Sequence, residues 1–148
     1  MRQVFGISDA KSFCDSFYER QPMKDNEYFY FGTPYTKYPD GIEAAFQLAC
    51  KQTALLIRAG IKAYSPIAHT HPVAIYGGID PLDHSIWIPA DMPFMKNAIG
   101  LIVLMASGWE ESKGLKIEID EFEKAGKPVL YMEPDVLPKR LLQIWGPK

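Results

Sequence analysis

Ile99-Gly-Leu-Ile-Val-Leu-Met105 is apolar from end to end, and a short loop separates it from Ser112-Lys-Gly-Leu-Lys-Ile-Glu118. An unbroken apolar run of this kind suits a central parallel strand covered on both faces. Ser112 reads as the N-cap of the helix that follows. Leu115, Glu118, Ile119, Phe122 and Ala125 then recur at the i, i+3, i+4, i+7 spacing of a face turned to the core. Glu118 is the misfit in that stripe. Helical side chains lean toward the N-terminus, so its carboxylate is expected over the turn that holds Gly114, whose missing side chain leaves space for a ligand. The plain alternative is a glutamate that favours the positive end of the helix dipole with its head group in water.

Working outward, Glu27-Tyr-Phe-Tyr-Phe-Gly32 is rich in aromatic strand formers and ends at the turn Gly32-Thr-Pro-Tyr35. Asp40 opens an amphipathic helix with Ile42, Ala45, Phe46, Ala49, Thr53, Leu56 and Ile57 in its stripe and Gly60 at its end. Ile61 to Tyr64 is a second, short strand ended by Ser65-Pro66. Residues 67–80 read as a loop carrying His69, His71 and Gly77-Gly78. A helix from about Pro81 to Ala98 leads into the apolar run, and Val129-Leu-Tyr-Met132 forms the last strand.

Strand and helix alternation of this kind implies right-handed crossovers and a three-layer α/β/α sandwich with a parallel, flavodoxin- or Rossmann-like sheet. Ligands of such sheets bind beyond the carboxyl ends of the strands, the edge that collects Gly32 to Tyr35, Ser65 to His69 and Ser107 to Gly114. The chain reads as a single domain over 1–148. Its core spans 27–132, an extension covers 1–26 with a helix around Ala10 to Arg20, and a helical segment covers 133–148 with Leu137, Leu141, Leu142, Ile144 and Trp145.

Composition narrows the partners. A 47% hydrophobic content suffices for one real core, and a net charge of −2 lacks the clustered positive surface that a nucleic acid polymer or an anionic membrane demands. Cys14 and Cys50 form no CxxC, Met1 to Ser8 is too short in apolar residues to read as a signal peptide, and no apolar run reaches membrane-spanning length, so a cytoplasmic location is expected. His69-Thr-His71 with His84 lacks the further ligands of a metal site at any known spacing, and no metal is expected. The GxGxxG, GxxxxGK[ST] and GxSxG patterns are absent, which disfavours dinucleotide, P-loop and serine-hydrolase chemistry. Asp91 is either an acid that orients a sugar or protonates a leaving base, or a helix cap or a simply solvated side chain. Tyr35 and Tyr38 could stack on a base or stand as ordinary loop tyrosines. His69 is a candidate substrate contact, and Trp109 a lid or a subunit contact.

Together Tyr30-Phe-Gly-Thr-Pro-Tyr35, Asp91, Ser112-Lys-Gly-Leu-Lys-Ile-Glu118 and Ala125-Gly-Lys-Pro-Val129 resemble the nucleoside 2-deoxyribosyltransferase superfamily, which includes deoxynucleoside-monophosphate N-glycosidases, over roughly residues 27 to 132. The resemblance implies Glu118 as nucleophile and Asp91 as second catalytic acid. Substrate-binding roles fall to Gly32, Pro34, Tyr35, His69, Trp109, Ser112 and Gly114. It implies cleavage or transfer of the N-glycosidic bond of a nucleoside or nucleotide without a cofactor, in a homo-oligomer. Lys116 stands where the family's S-x-G-x-G-x-E motif has its second glycine, and Phe122 is bulkier than the small residue often found there. No Asp follows the central strand, which favours hydrolase-like or uncharacterised branches over base exchange. The alternative is a nucleotide-binding or sensing module of the same fold without turnover.

Overall fold

The computed structural model describes residues 22–147; the helix expected around Ala10 to Arg20 lies outside them. Four parallel strands, β1 (Phe29–Gly32), β2 (Ala63–Tyr64), β3 (Gly100–Leu104) and β4 (Val129–Met132), pair in the order β2-β1-β3-β4. They alternate with five helices among the described residues: α1 (Ile42–Arg58), α2 (Pro66–Gly77), α3 (His84–Asn97), α4 (Lys113–Lys124) and α5 (Lys139–Trp145).

Period-two alternation splits the core into two layers. Phe29, Phe31, Ile102, Leu104, Leu130 and Met132 pack with Leu56 of α1 and with Leu141 and Ile144 of α5. Tyr30, Leu101, Val103 and Val129 face the other way, onto Met95 of α3 and onto Leu115 and Phe122 of α4. The result is the expected three-layer α/β/α sandwich. Phe29, Tyr30 and Phe31 are completely buried, and each phenylalanine side chain contributes about 1.5–3 kcal/mol on leaving water. The uninterrupted apolar character of β3 follows from its position between two neighbours and under both helical layers.

Several boundaries differ from the sequence expectation. Residues 67–80 are a helix for most of their length, not a loop. The Ser65 hydroxyl caps α2 by accepting from the Ala68 N–H at 3.1 Å, Pro66 occupies its first turn, and Gly78 closes it at φ 72°. Pro72 inside α2 and its lack of an apolar stripe hid the helical period, although the Ser-Pro start and Gly-Gly end were helix signals. Helix α1 begins at Ile42 behind Gly41 rather than at Asp40. Ile57 of its expected stripe is exposed, while Gln52 is buried and exchanges hydrogen bonds of 2.8 and 2.9 Å with Asp135. Ala125, placed by spacing on the core face of α4, is exposed beyond the end of the helix. Trp145 packs edge-on against Phe29 and Trp109 lies against Tyr131, both half-buried. Among the described residues no helix is long and apolar enough to cross a membrane.

The cap makes α2 testable. Ser65→Ala should lower the unfolding free energy by about 1 kcal/mol in urea denaturation; an unchanged midpoint would mean that the Ser65 hydroxyl does not anchor the helix.

Candidate functional site at the carboxyl edge of the sheet

A cleft enclosing about 590 Å³, open solvent at its mouth included, lies at the carboxyl ends of β1 and β3. Thr33, Tyr35 and Thr36 of the loop after β1 form one wall, and Pro66, Ile67 and Thr70 of α2 another. His84, Trp87, Ile88 and Asp91 of α3 face Ser112, Gly114, Leu115 and Glu118 at the start of α4, with Pro81 at the rim.

Glu118 faces inward, buried, as its place in the stripe implied, and its surroundings define the site. A Cβ built on Gly32 would lie 3.0 Å from the Glu118 Oε1 and 2.7 Å from Leu115 Cδ2, so only glycine at the end of β1 lets the carboxylate and Leu115 settle onto the strand. The carboxylate therefore rests above Gly32, whereas Gly114 looks into open space with only the Ser112 Oγ near, at 3.9 Å. Ser112 caps α4 by accepting from the Leu115 N–H at 3.2 Å. Gly108 has φ 86° and packs against the Lys37 carbonyl, joining the loop after β3 to the loop after β1.

Burial raises the Glu118 carboxyl to about 8; the facing Tyr30 hydroxyl opposes this and the Asp91 charge adds to it. The positive end of the helix dipole could in principle keep Glu118 ionised. It does not, because Glu118 lies beyond the first turn, where the dipole fades, and desolvation dominates. Asp91 is raised to about 6 by burial alone. Asp91 lies in the body of α3, which Asp83 caps, so the capping alternative for Asp91 is excluded. The hydroxyls of Tyr30, Thr33 and Tyr64 are buried without a hydrogen-bond partner among the described residues; Tyr30 faces Glu118 closely enough to lower its pKa, without the geometry of a formed bond. Tyr30 is pushed well above its ordinary value, by burial first and by Glu118 and Asp91 next, and Tyr64 to about 12, by burial and then Asp91. Orphan hydroxyls beside two carboxyls are costly unless a polar ligand or water meets them.

Five expected site residues thus line one cleft: Glu118, Asp91, Tyr35, Ser112 and Gly114. Gly32 lies beneath it and Pro34 is buried between Thr33 and Tyr35 without lining it. His69 does not line it: helix formation turns the ring outward, where it is exposed beside Tyr64 and Phe94 with centroids 6.2 and 6.5 Å away. Trp109 is also outside, on Tyr131. His84, Trp87, Ile88 and Thr33 also line the cleft and were not singled out by sequence as site residues. The positions 84, 87, 88 and 91 follow one helical stripe ending at Asp91, a signal that was present in the sequence. Tyr30 was another, being a hydroxyl in an otherwise apolar strand.

Among the described residues no group of three or more His, Cys, Asp or Glu is placed to hold a metal ion. The model of a family described as a domain of unknown function (DUF1937) matches residues 27–134. No curated protein matches the chain.

The raised Glu118 pKa has a defined consequence for stability. Between about 4.5 and about 8 the folded chain holds a proton on Glu118 that the unfolded chain has lost, so stability falls as pH rises through that window. Glu118→Gln removes the titration. Its unfolding free energy should equal that of the wild type near pH 4.5 and exceed it by a few kcal/mol at pH 8.5, measured by urea denaturation across pH; parallel pH profiles would place Glu118 in solvent.

Proposed function

We propose that this chain, which belongs to the DUF1937 family, cleaves the N-glycosidic bond of a deoxynucleoside or its monophosphate with Glu118 as nucleophile. The observation that carries the reading is the buried pair of carboxyls in one cleft, with Asp91 raised to about 6 and Glu118 to about 8. Between those values the pair holds one proton. That is the stoichiometry a retaining glycosidic cleavage requires: one carboxylate to attack C1′ and one carboxylic acid to protonate the departing base.

In the empty cleft the proton rests mainly on Glu118. When a nucleotide enters, the proton passes by way of Asp91 to the base nitrogen as the C1′–N bond breaks. The oxocarbenium-like sugar then faces the Glu118 carboxylate, whose charge it stabilises as no empty apolar pocket can. Water later cleaves the glycosyl ester. Of the unpartnered hydroxyls, that of Thr33 lines the cleft and is suited to a sugar oxygen, and Trp87 offers a base an aromatic wall. The start of α4 at Ser112 to Gly114, with Lys113 nearby, suits a 5′-phosphate. Assembly into a homo-oligomer belongs to the same reading and is checked by the mass in solution.

A second reading has one observation in its favour. A Glu118 that is protonated at neutral pH is a hydrogen-bond donor and no nucleophile, as befits a module that binds a nucleotide without turning it over. Incubation with a panel of nucleosides, nucleotides and NAD separates the two, since affinity without released base supports the module.

For the cleaving enzyme, kcat/KM should follow a bell with limbs near pH 6 and 8: attack fails below because both groups are protonated, and base departure fails above because neither is. Glu118→Gln should abolish base release with the fold retained, and Asp91→Asn should slow it by roughly 10² or more. A flat profile, or full activity of Glu118→Gln, would end the proposal. Gly114→Val should block ligand entry at little cost in stability, because a Cβ there meets only open space and its φ is ordinary; retained affinity in calorimetry would place the ligand elsewhere.

A further inference from the structure

Outside the carboxyl pair, three side chains form a continuous chain from the cleft to solvent. The Tyr35 hydroxyl lies 2.6 Å from the His71 Nδ1, and the His71 Nε2 lies 2.8 Å from the Glu43 Oε2. Tyr35 is a wall of the cleft, His71 is 3% exposed on α2, and Glu43 stands in solvent at the start of α1. The ring of Phe46 stacks on His71 at 4.5 Å and 20°, fixing the imidazole plane. The His71 interaction and a second hydrogen bond from Gln47 hold Glu43 below the usual carboxylate range, so it is ionised and can only accept.

Hydrogen-bond polarity then propagates inward. An ionised Glu43 requires a proton on the His71 Nε2. A ring that carries its single proton there has its other site, Nδ1, left as a lone pair, to which the Tyr35 hydroxyl donates. We propose that Glu43 and His71 are positioning residues that commit the Tyr35 proton away from the cleft, making Tyr35 an obligate acceptor that selects ligands presenting an O–H or N–H donor at that wall. The ligand class rests on the nucleotide reading above, where a sugar hydroxyl or a base amino group supplies the donor. The polarity itself rests only on the three side chains. An exposed glutamate thereby controls recognition in a cleft that it does not touch.

The test has two arms. In the free protein at neutral pH, nitrogen-15 NMR of the histidine rings should find His71 neutral and protonated on Nε2, with that preference lost in Glu43→Ala. A ring protonated on Nδ1, or on both nitrogens, would overturn the proposal. With 2′-deoxynucleoside 5′-monophosphates, Glu43→Ala and Tyr35→Phe should each raise KM about tenfold with kcat within about twofold, the scale of one hydrogen bond, and the double variant should be no worse than Tyr35→Phe. An unchanged KM in Glu43→Ala, or additive losses, would also overturn it. If none is cleaved, the Kd values of the same nucleotides replace KM. A chain that neither binds nor cleaves them while His71 keeps its Nε2 proton sinks the nucleotide reading and leaves the polarity of Tyr35 standing.

Discussion

The carboxylate of Glu118, buried against the bare backbone at Gly32, is the constraint around which the rest of the cleft is arranged. A carboxyl in that place loses its hydration and gains no cation among the described residues, so its pKa rises and the fold carries the cost. An apolar residue at position 118 would complete the stripe of Leu115 and Phe122 and pack the same helix more cheaply. The destabilised acid, the unpartnered hydroxyls of Tyr30 and Thr33, and the second raised acid on α3 lie together at one edge of one sheet. Strain concentrated in this way is characteristic of a place where a ligand completes the structure.

The division of the core explains why the polar groups converge there. Phe29 and Phe31 send their side chains to the α1 and α5 layer, which is sealed by apolar contacts and by Trp145. Tyr30 points to the α3 and α4 layer, where its ring packs on Phe122 and its hydroxyl faces Glu118. One strand thus builds a dry core on one face and a polar site on the other. The parallel pairing of β1 with β3 places their carboxyl ends together beneath the loops that close the cleft.

Chemistry in such a cleft depends on which partner holds each proton. Asp91 and Glu118 sit in unequal surroundings and so titrate apart, while Tyr35 is tied through His71 to an ionised glutamate in solvent. One wall of the cleft is therefore tuned by burial and the other by a hydrogen-bond relay.

The sequence by itself determined the fold class and the inward face of Glu118, because both are periodicity statements. The unbroken apolar run at Gly100 to Leu104 and the strand Val129 to Met132 are legible without tertiary contacts, as are the Ser112 cap and the stripe of α4. Helix α2 was not legible as a helix, because Pro72 and a polar, histidine-bearing surface conceal a period that the Ser65 cap and the packing of His71, Thr70 and Ala74 enforce. Which of the histidines matters was beyond the sequence for the same reason. His69 and His71 are two residues apart, and helical geometry turns one to solvent and the other onto Tyr35, thirty-six positions away in the chain. Spacing along a chain reports local repeat; the partners of a buried polar group lie at long range, so only the folded arrangement decides them.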